Sequence, residues 1–329
     1  MTRRLLGVLY AGVASVLLAS CSGVQSALDP GGVGASDIHT LTIVMVAGAA
    51  LVTLMVVVAI AGAFGGRSIQ PSRNFWLFGG GVALPVAVLT PLILYSSATG
   101  QSMRQPTPPA SERITVTAHQ YWWDVTYERA QHRQTIFSAN ELVIPQGRPT
   151  EILLKAADVI HSFWVPALAG KLDMIPGRTT RIVLEPTKTG LFRGQCAEFC
   201  GAQHTAMALF VKVLPLEEYE HWVMTQAAPA AIPEQPFLRR GLAVFTAQGC
   251  GACHRIDGVA GADGRLGPDL TRVGARQSIA AGLLPGGVGN IAAWIASSQH
   301  LKPGNKMPSY DRLTGEELRA VAAYLESLK

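Results

Sequence analysis

From Leu41 to Phe64 the chain reads LTIVMVAGAALVTLMVVVAIAGAF, without a single charge. A second uncharged run, FWLFGGGVALPVAVLTPLILYSS, extends from Phe75 to Ser97. Each exceeds the roughly 20 apolar residues needed to cross hydrocarbon, so the pattern predicts two transmembrane helices. The glycines and prolines of the second are tolerated where a membrane helix has packing partners. Ahead of both lies MTRRLLGVLYAGVASVLLASC: two arginines, an apolar run, then small residues before Cys21. That order predicts a secretory signal peptide over 1–21.

After Gln101 the pattern changes. PTPPA reads as a stiff linker. Short alternating runs follow between 112 and 215: RITVTAHQYWWDVTY, NELVIP, TEILLKAADVIHSFWVP, TTRIVLEP and ALFVKVL. Period-two alternation broken by turn residues predicts a small antiparallel sandwich or barrel. TQAAPAAIPEQP, 225–236, reads as a second linker. FLRRGLAVFTAQG and the closing TGEELRAVAAYLESL read as helices, with Thr314 and Glu317 forming a capping box. The expected chain is multidomain: a signal peptide at 1–21, a transmembrane hairpin at 37–100, an all-β domain at 112–224 and an all-α domain at 237–329.

Charge adds orientation. Only 15% of residues are charged and 49% are hydrophobic, against about 25% charged in an average soluble protein. All but four of the 27 basic and two of the 22 acidic residues lie beyond Gln101. Arg67 and Arg73 lie between the apolar runs, and the positive-inside bias puts that loop in the cytoplasm. Both chain ends then lie outside, as a signal peptide also requires. No block of like charge marks a nucleic-acid partner.

The chemistry concentrates in GQCAEFCGAQHTAM, 194–207. Cys196, Cys200, His204 and Met207 offer two thiolates, an imidazole and a thioether, a soft set that suits copper. Two thiolates can bridge two metal ions, and a further histidine must then come from elsewhere. DVIHSFWVP offers His161. The competing readings are a disulfide between the cysteines and a merely packed histidine. CGACH, 250–254, has the spacing at which Cys250 and Cys253 attach a haem whose iron His254 ligates. A thioredoxin-like redox pair or a zinc site shares the spacing. KPGNKMPSY supplies Met307 as a second axial ligand. Cys21 is then the one cysteine left.

LASC resembles the lipobox of bacterial lipoproteins and implies acylation of Cys21. An uncleaved signal or a further membrane helix is the alternative. Residues 194–207 resemble the copper A motif of cytochrome c oxidase subunit II, C-x-E-x-C-x3-H-x2-M, at every ligand. DVIHSFWVP and KLDMIPGR resemble other segments of that family, and the likeness covers roughly 37–215. It implies a cupredoxin-like fold. It implies one copper held by His161, Met207 and both thiolates, and another by His204, the Glu198 carbonyl and both thiolates. It also implies that the Glu198 side chain reaches a magnesium or manganese ion at subunit I. HQYWWDVTY is similar to the family's aromatic patch, and implies electron-transfer roles for Tyr121 and Trp122. The family usually has a tryptophan where Tyr121 stands. LGPDL, Met307 with Pro308 and the closing helix resemble a class I cytochrome c.

Together these resemble subunit II of a cytochrome-c-fused, caa3-type oxidase in a bacterial plasma membrane. The likeness implies electrons passing from haem c to copper A and on to haem–copper subunit I. Dioxygen reduction and proton translocation would belong to subunit I, with subunit III beside it. The donor would be a cytochrome c or a quinol–cytochrome c reductase. Copper and haem domains are expected on the extracytoplasmic side, with no catalytic residue in this chain. The 225–236 linker would keep the cytochrome near the copper at up to about millimolar effective concentration. A membrane-anchored electron-shuttle lipoprotein is the alternative. A nitrous oxide reductase would need a histidine-rich copper cluster, which eight scattered histidines do not provide.

Overall fold

The computed structural model describes residues 22–64, 72–103, 112–129 and 134–329. The signal-like stretch, Cys21, Arg67 and PTPPA lie outside the described residues. The chain folds as two units, one formed by residues 34–107 and the other by the rest.

The smaller unit holds the apolar helices. Helix α1 (Val33–Phe64) begins well before the apolar run and ahead of the boundary expected at 37. The hydroxyls of Thr40 and Thr42 donate to the carbonyls of Ser36 and Ile38, so polar side chains are satisfied within the helix. A π-helical stretch, Phe75–Ala83, leads into α2 (Leu84–Ser102). Leu84 N–H reaches back five residues to Gly79 O. Pro91 lies inside α2, where a missing N–H is tolerable in a membrane helix. Val44, Leu51, Leu54, Phe78 and Leu94 are all exposed. Such faces suit hydrocarbon or an apolar protein partner, not water.

The larger unit begins with a β-sandwich. One sheet has the order β3-β2-β1-β5-β8 and the other β4-β10-β9-β6-β7. The strands are β1 (Glu112–His119), β2 (Trp122–Arg129), β3 (Gln134–Ala139), β4 (Glu141–Pro145), β5 (Thr150–Ala156), β6 (His161–Trp164), β7 (Leu172–Met174), β8 (Thr180–Leu184), β9 (Gly190–Cys196) and β10 (Ala208–Leu214). Alternation puts Ile114, Val116 and Ala118 of β1 and Trp123, Val125 and Tyr127 of β2 on the buried face. The sheets are mixed rather than antiparallel: β1 pairs parallel with β5, and β4 with β10. Hydrophobic alternation reports which face is buried but not which strand lies alongside. Helix α3 (Leu216–Gln226) follows; its Trp222 stacks on Tyr219 and packs at a tilt against Tyr127.

Residues 22–33, which fell in no expected domain, dock on this sandwich. Arg193 N–H donates to Val24 O and Gly31 N–H to Ala167 O. A Cβ on Gly31 would lie 2.6 Å from the Phe192 ring, and one on Gly32 would lie 2.6 Å from Leu168 O. Only glycines permit that approach.

The expected linker is not a free tether. Ala230 is buried in the last domain's core and its N–H donates to Asp257 O. Arg272 Nη2 donates to Thr225 O and Ala228 O. Small apolar residues that signal no regular structure can still pack. The last domain contains α4 (Pro236–Ala247), a short hairpin β11 (Ser278–Ile279) and β12 (Leu284–Pro285), α5 (Val288–Leu301) and α6 (Gly315–Ser327). The capping box at Thr314 and Glu317 is present. Helix α5 escaped the sequence reading, because the glycines at its start obscure the period.

Candidate metal centre and haem pocket

Three strand positions assemble the first site. β6 starts at His161, β9 ends at Cys196 and β10 starts at Ala208. The β6–β9 pairing aligns Phe163 with Cys196, which sets His161 beside the thiol. The intervening loop folds back: Cys196 N–H donates to Met207 O, and Ala197 N–H to Ser162 O. Gly201 has φ +124°, and a Cβ there would strike Tyr121 Oη at 2.6 Å.

The donor atoms converge. Cys196 Sγ is 3.7 Å from His161 Nδ1 and 3.9 Å from Cys200 Sγ. Cys200 Sγ is 3.6 Å from His204 Nδ1 and 3.9 Å from Met207 Sδ. The Glu198 carbonyl oxygen is 3.2 Å from Cys196 Sγ. A disulfide needs sulfurs about 2.05 Å apart; all four described cysteines are free. The donor atoms of His161, Cys196 and Cys200 lie within 4.8 Å of one another, all buried. The contact with the Cys200 thiol pulls Cys196 down to about 3 and pushes Cys200 up. Two sulfurs, two imidazoles, a thioether and a carbonyl fit a pair of soft cations.

Asp158, which the sequence reading passed over, completes the surroundings. Its Oδ1 lies 2.8 Å from His161 Nε2, leaving Nδ1 toward the sulfurs. Its spacing of three residues from His161 was the available signal. Burial pushes Asp158 up, but the bonds from His161, Gln120 N–H and Val159 N–H outweigh it and hold it below the carboxylate range. The Glu198 side chain points outward, 44% exposed, with Lys171 Nζ at 3.9 Å.

The second site is a cavity of about 440 Å³ lined by Cys250, Cys253, His254 and Met307. His254 Nδ1 donates to Pro268 O at 2.8 Å, leaving Nε2 for a metal. A Cβ on Gly267 would sit 2.6 Å from the His254 ring, so glycine alone lets the backbone pass. Ser298 Oγ and Gln299 Nε2 donate to Met307 O, and Met307 N–H donates to Asn305 Oδ1. The Met307 strap is thus held from both sides. A large apolar cavity with two thiols, an oriented imidazole and a thioether fits a covalent haem.

One wall of that cavity belongs to the sandwich: His119, Gln120, Tyr121 and Trp122 at the β1–β2 turn. Trp122 stacks on His119 at 4.5 Å. On its other side the same turn touches the copper-type loop. Gln120 Nε2 donates to Cys200 O at 2.6 Å, and Tyr121 Oη accepts from Ala202 N–H at 3.1 Å. Lys302, also missed, bridges the two domains; burial pulls its pKa down, but three carbonyls accept from its Nζ and hold its proton.

Residues 116–214 match the family described as cytochrome c oxidase subunit II, periplasmic domain, and residues 238–329 match cytochrome c. The cytochrome c oxidase subunit 2 of Alkalihalophilus pseudofirmus is 37% identical over 252 residues, 75% of this chain and 71% of that one. That of Bacillus subtilis is 29% identical over 261 residues, 75% of this chain and 72% of that one. A crystal structure of the periplasmic domain of subunit II of cytochrome oxidase from Bradyrhizobium japonicum is 32% identical. It covers 37% of this chain and 96% of its own, with a TM-score of 0.34. The chain belongs to the cytochrome c oxidase subunit II family, and carries a cytochrome c domain at its C-terminal end.

Proposed function

We propose that His161, Cys196, Cys200, His204, Met207 and the Glu198 carbonyl hold a binuclear copper A centre. Cys250 and Cys253 would bind a haem c covalently, with His254 and Met307 as the residues that would hold its iron. The chain is the electron-transfer subunit of an oxidase complex. A copper pair held there would supply a one-electron store, and a haem held by His254 and Met307 would supply a potential raised into the carrier range. This chain's own residues shape the rest. Asp158 orients His161, Pro268 orients His254, and burial keeps water from the sulfurs.

The observation that carries this reading is the shared wall. The β1–β2 turn lines the haem-type cavity and is hydrogen-bonded to the copper-type loop. Tyr121 and Trp122 are the aromatic residues there, and serve electron passage between the sites. Electrons then leave toward haem–copper subunit I, where dioxygen is reduced and protons are translocated. The exposed Glu198 carboxylate suits a magnesium or manganese ion shared with that subunit. Subunit III, and a cytochrome c or quinol–cytochrome c reductase as donor, complete the assembly. Both soluble domains face the extracytoplasmic side of a bacterial plasma membrane, anchored by α1, α2 and an acylated Cys21.

Metal and haem analysis of the purified complex tests this. A copper pair with a near-infrared band and a single covalent haem are expected, co-purifying with a large haem–copper subunit. Cys196→Ser should abolish the band and retain the haem. A Cys196–Cys200 disulfide in the native complex, or purification as a lone shuttle lipoprotein, would overturn the reading.

A further inference from the structure

Lys302 caps α5, yet only 2% of it is exposed. Its Nζ donates to Tyr121 O at 2.9 Å, Ala206 O at 2.7 Å and Ala280 O at 2.8 Å. Three carbonyl acceptors need three N–H donors, so the group is an ammonium. A buried ammonium is costly unless each proton is met; here each is. Two of the three acceptors belong to the copper domain, and one of them is the residue immediately before Met207.

The residue immediately after Met207 is held as well. Ala208 N–H donates to Ala281 O at 2.9 Å. Both neighbours of the thioether are therefore bonded to the cytochrome domain. The turn that provides Ala281 is unusual. Ala280 and Ala281 have φ of 55° and 60°, a region that non-glycine residues rarely adopt. Gly282 continues it at φ +81°, and a Cβ there would lie 2.7 Å from Ala208 Cβ. Three successive left-handed residues, all small, bring the turn onto the strand that follows Met207.

We propose that the cytochrome domain is a structural part of the copper centre. Lys302 and the 280–282 turn clamp the backbone on both sides of Met207 and fix where its sulfur sits. Lys302 is a positioning residue. The inference rests on Met207 being a copper ligand. A sulfur ligand's position tunes a copper potential, so docking of the cytochrome sets the properties of the metal that it faces.

The test uses the intact, metal-loaded complex. Lys302→Met keeps the side-chain length and removes the ammonium. It should shift the near-infrared band, the copper hyperfine pattern and the copper reduction potential, with the covalent haem retained. Thr314→Ala weakens the cytochrome domain away from the interface and should leave the copper signals as in the wild type. In the wild-type complex, the Ala208 amide should exchange at least about tenfold more slowly than an open amide. That measurement decides the matter if Lys302→Met does not accumulate. Copper signals in Lys302→Met identical to wild type, or an Ala208 amide that exchanges freely, would overturn the clamp. Met207→Leu separates the two layers. Unchanged copper signals there overturn the ligand assignment and the clamp with it. Changed signals there beside unchanged ones in Lys302→Met overturn the clamp alone.

Discussion

At the scale of single residues, the site divides into ligands and the groups that aim them. The candidate ligands Cys196, Cys200, His204 and Met207 were legible because one short loop carries them, and Cys250, Cys253 and His254 because two thiols and a neighbouring imidazole have one common use at that spacing. The aiming groups were not legible. Asp158 matters only because the β1–β2 turn and His161 both reach it. Removing such an oriented partner costs about 10–100-fold in metal affinity. Asp158→Ala is therefore expected to weaken copper retention by that order, read by chelator titration of the purified complex. Retention equal to wild type would show that His161 is oriented without it.

At the scale of elements, local codes were readable and contacts were not. Thr314 and Glu317 announce the start of α6 within four residues, and the reciprocal bonds form there. The crossing of α4 and α6 is decided by Gly241, which reads in sequence as a poor helix residue. A Cβ at that position would lie 2.2 Å from Ala320 O and 2.6 Å from Tyr324 Cβ. Gly241→Ala gains about 1 kcal/mol in helix propensity. The overpacking works against it by about 1–3 kcal/mol, and because the clash is with backbone, the loss should prevail. The expected outcome is a lower melting temperature for the cytochrome domain within the full chain. An equal or higher one would mean that the helices separate without cost.

At the scale of the whole molecule, the two soluble domains meet across charge. The guanidiniums of Arg255 and Arg265 lie 4.9 and 4.3 Å from the centre of the Phe137 ring. Gln277 N–H donates to Glu141. Burial pushes Asp124 from 3.8 up to about 6, partly opposed by Arg265. A raised carboxylate binds more protons folded than unfolded between those values, so its contribution falls as pH rises through them. Asp124→Asn should therefore raise the melting temperature of the purified complex near pH 7.5, with the difference gone near pH 4. A difference of the same size at both would place the effect elsewhere. The sequence by itself determined the apolar helices, the β and helical domains and the candidate ligands, because periodicity and donor spacing act over short stretches of chain. Only the tertiary structure decided the strand partners, the docking of residues 22–33, the packed linker and the Lys302 clamp. Those depend on which distant surfaces fit at van der Waals distance, and on which buried protons find an acceptor there.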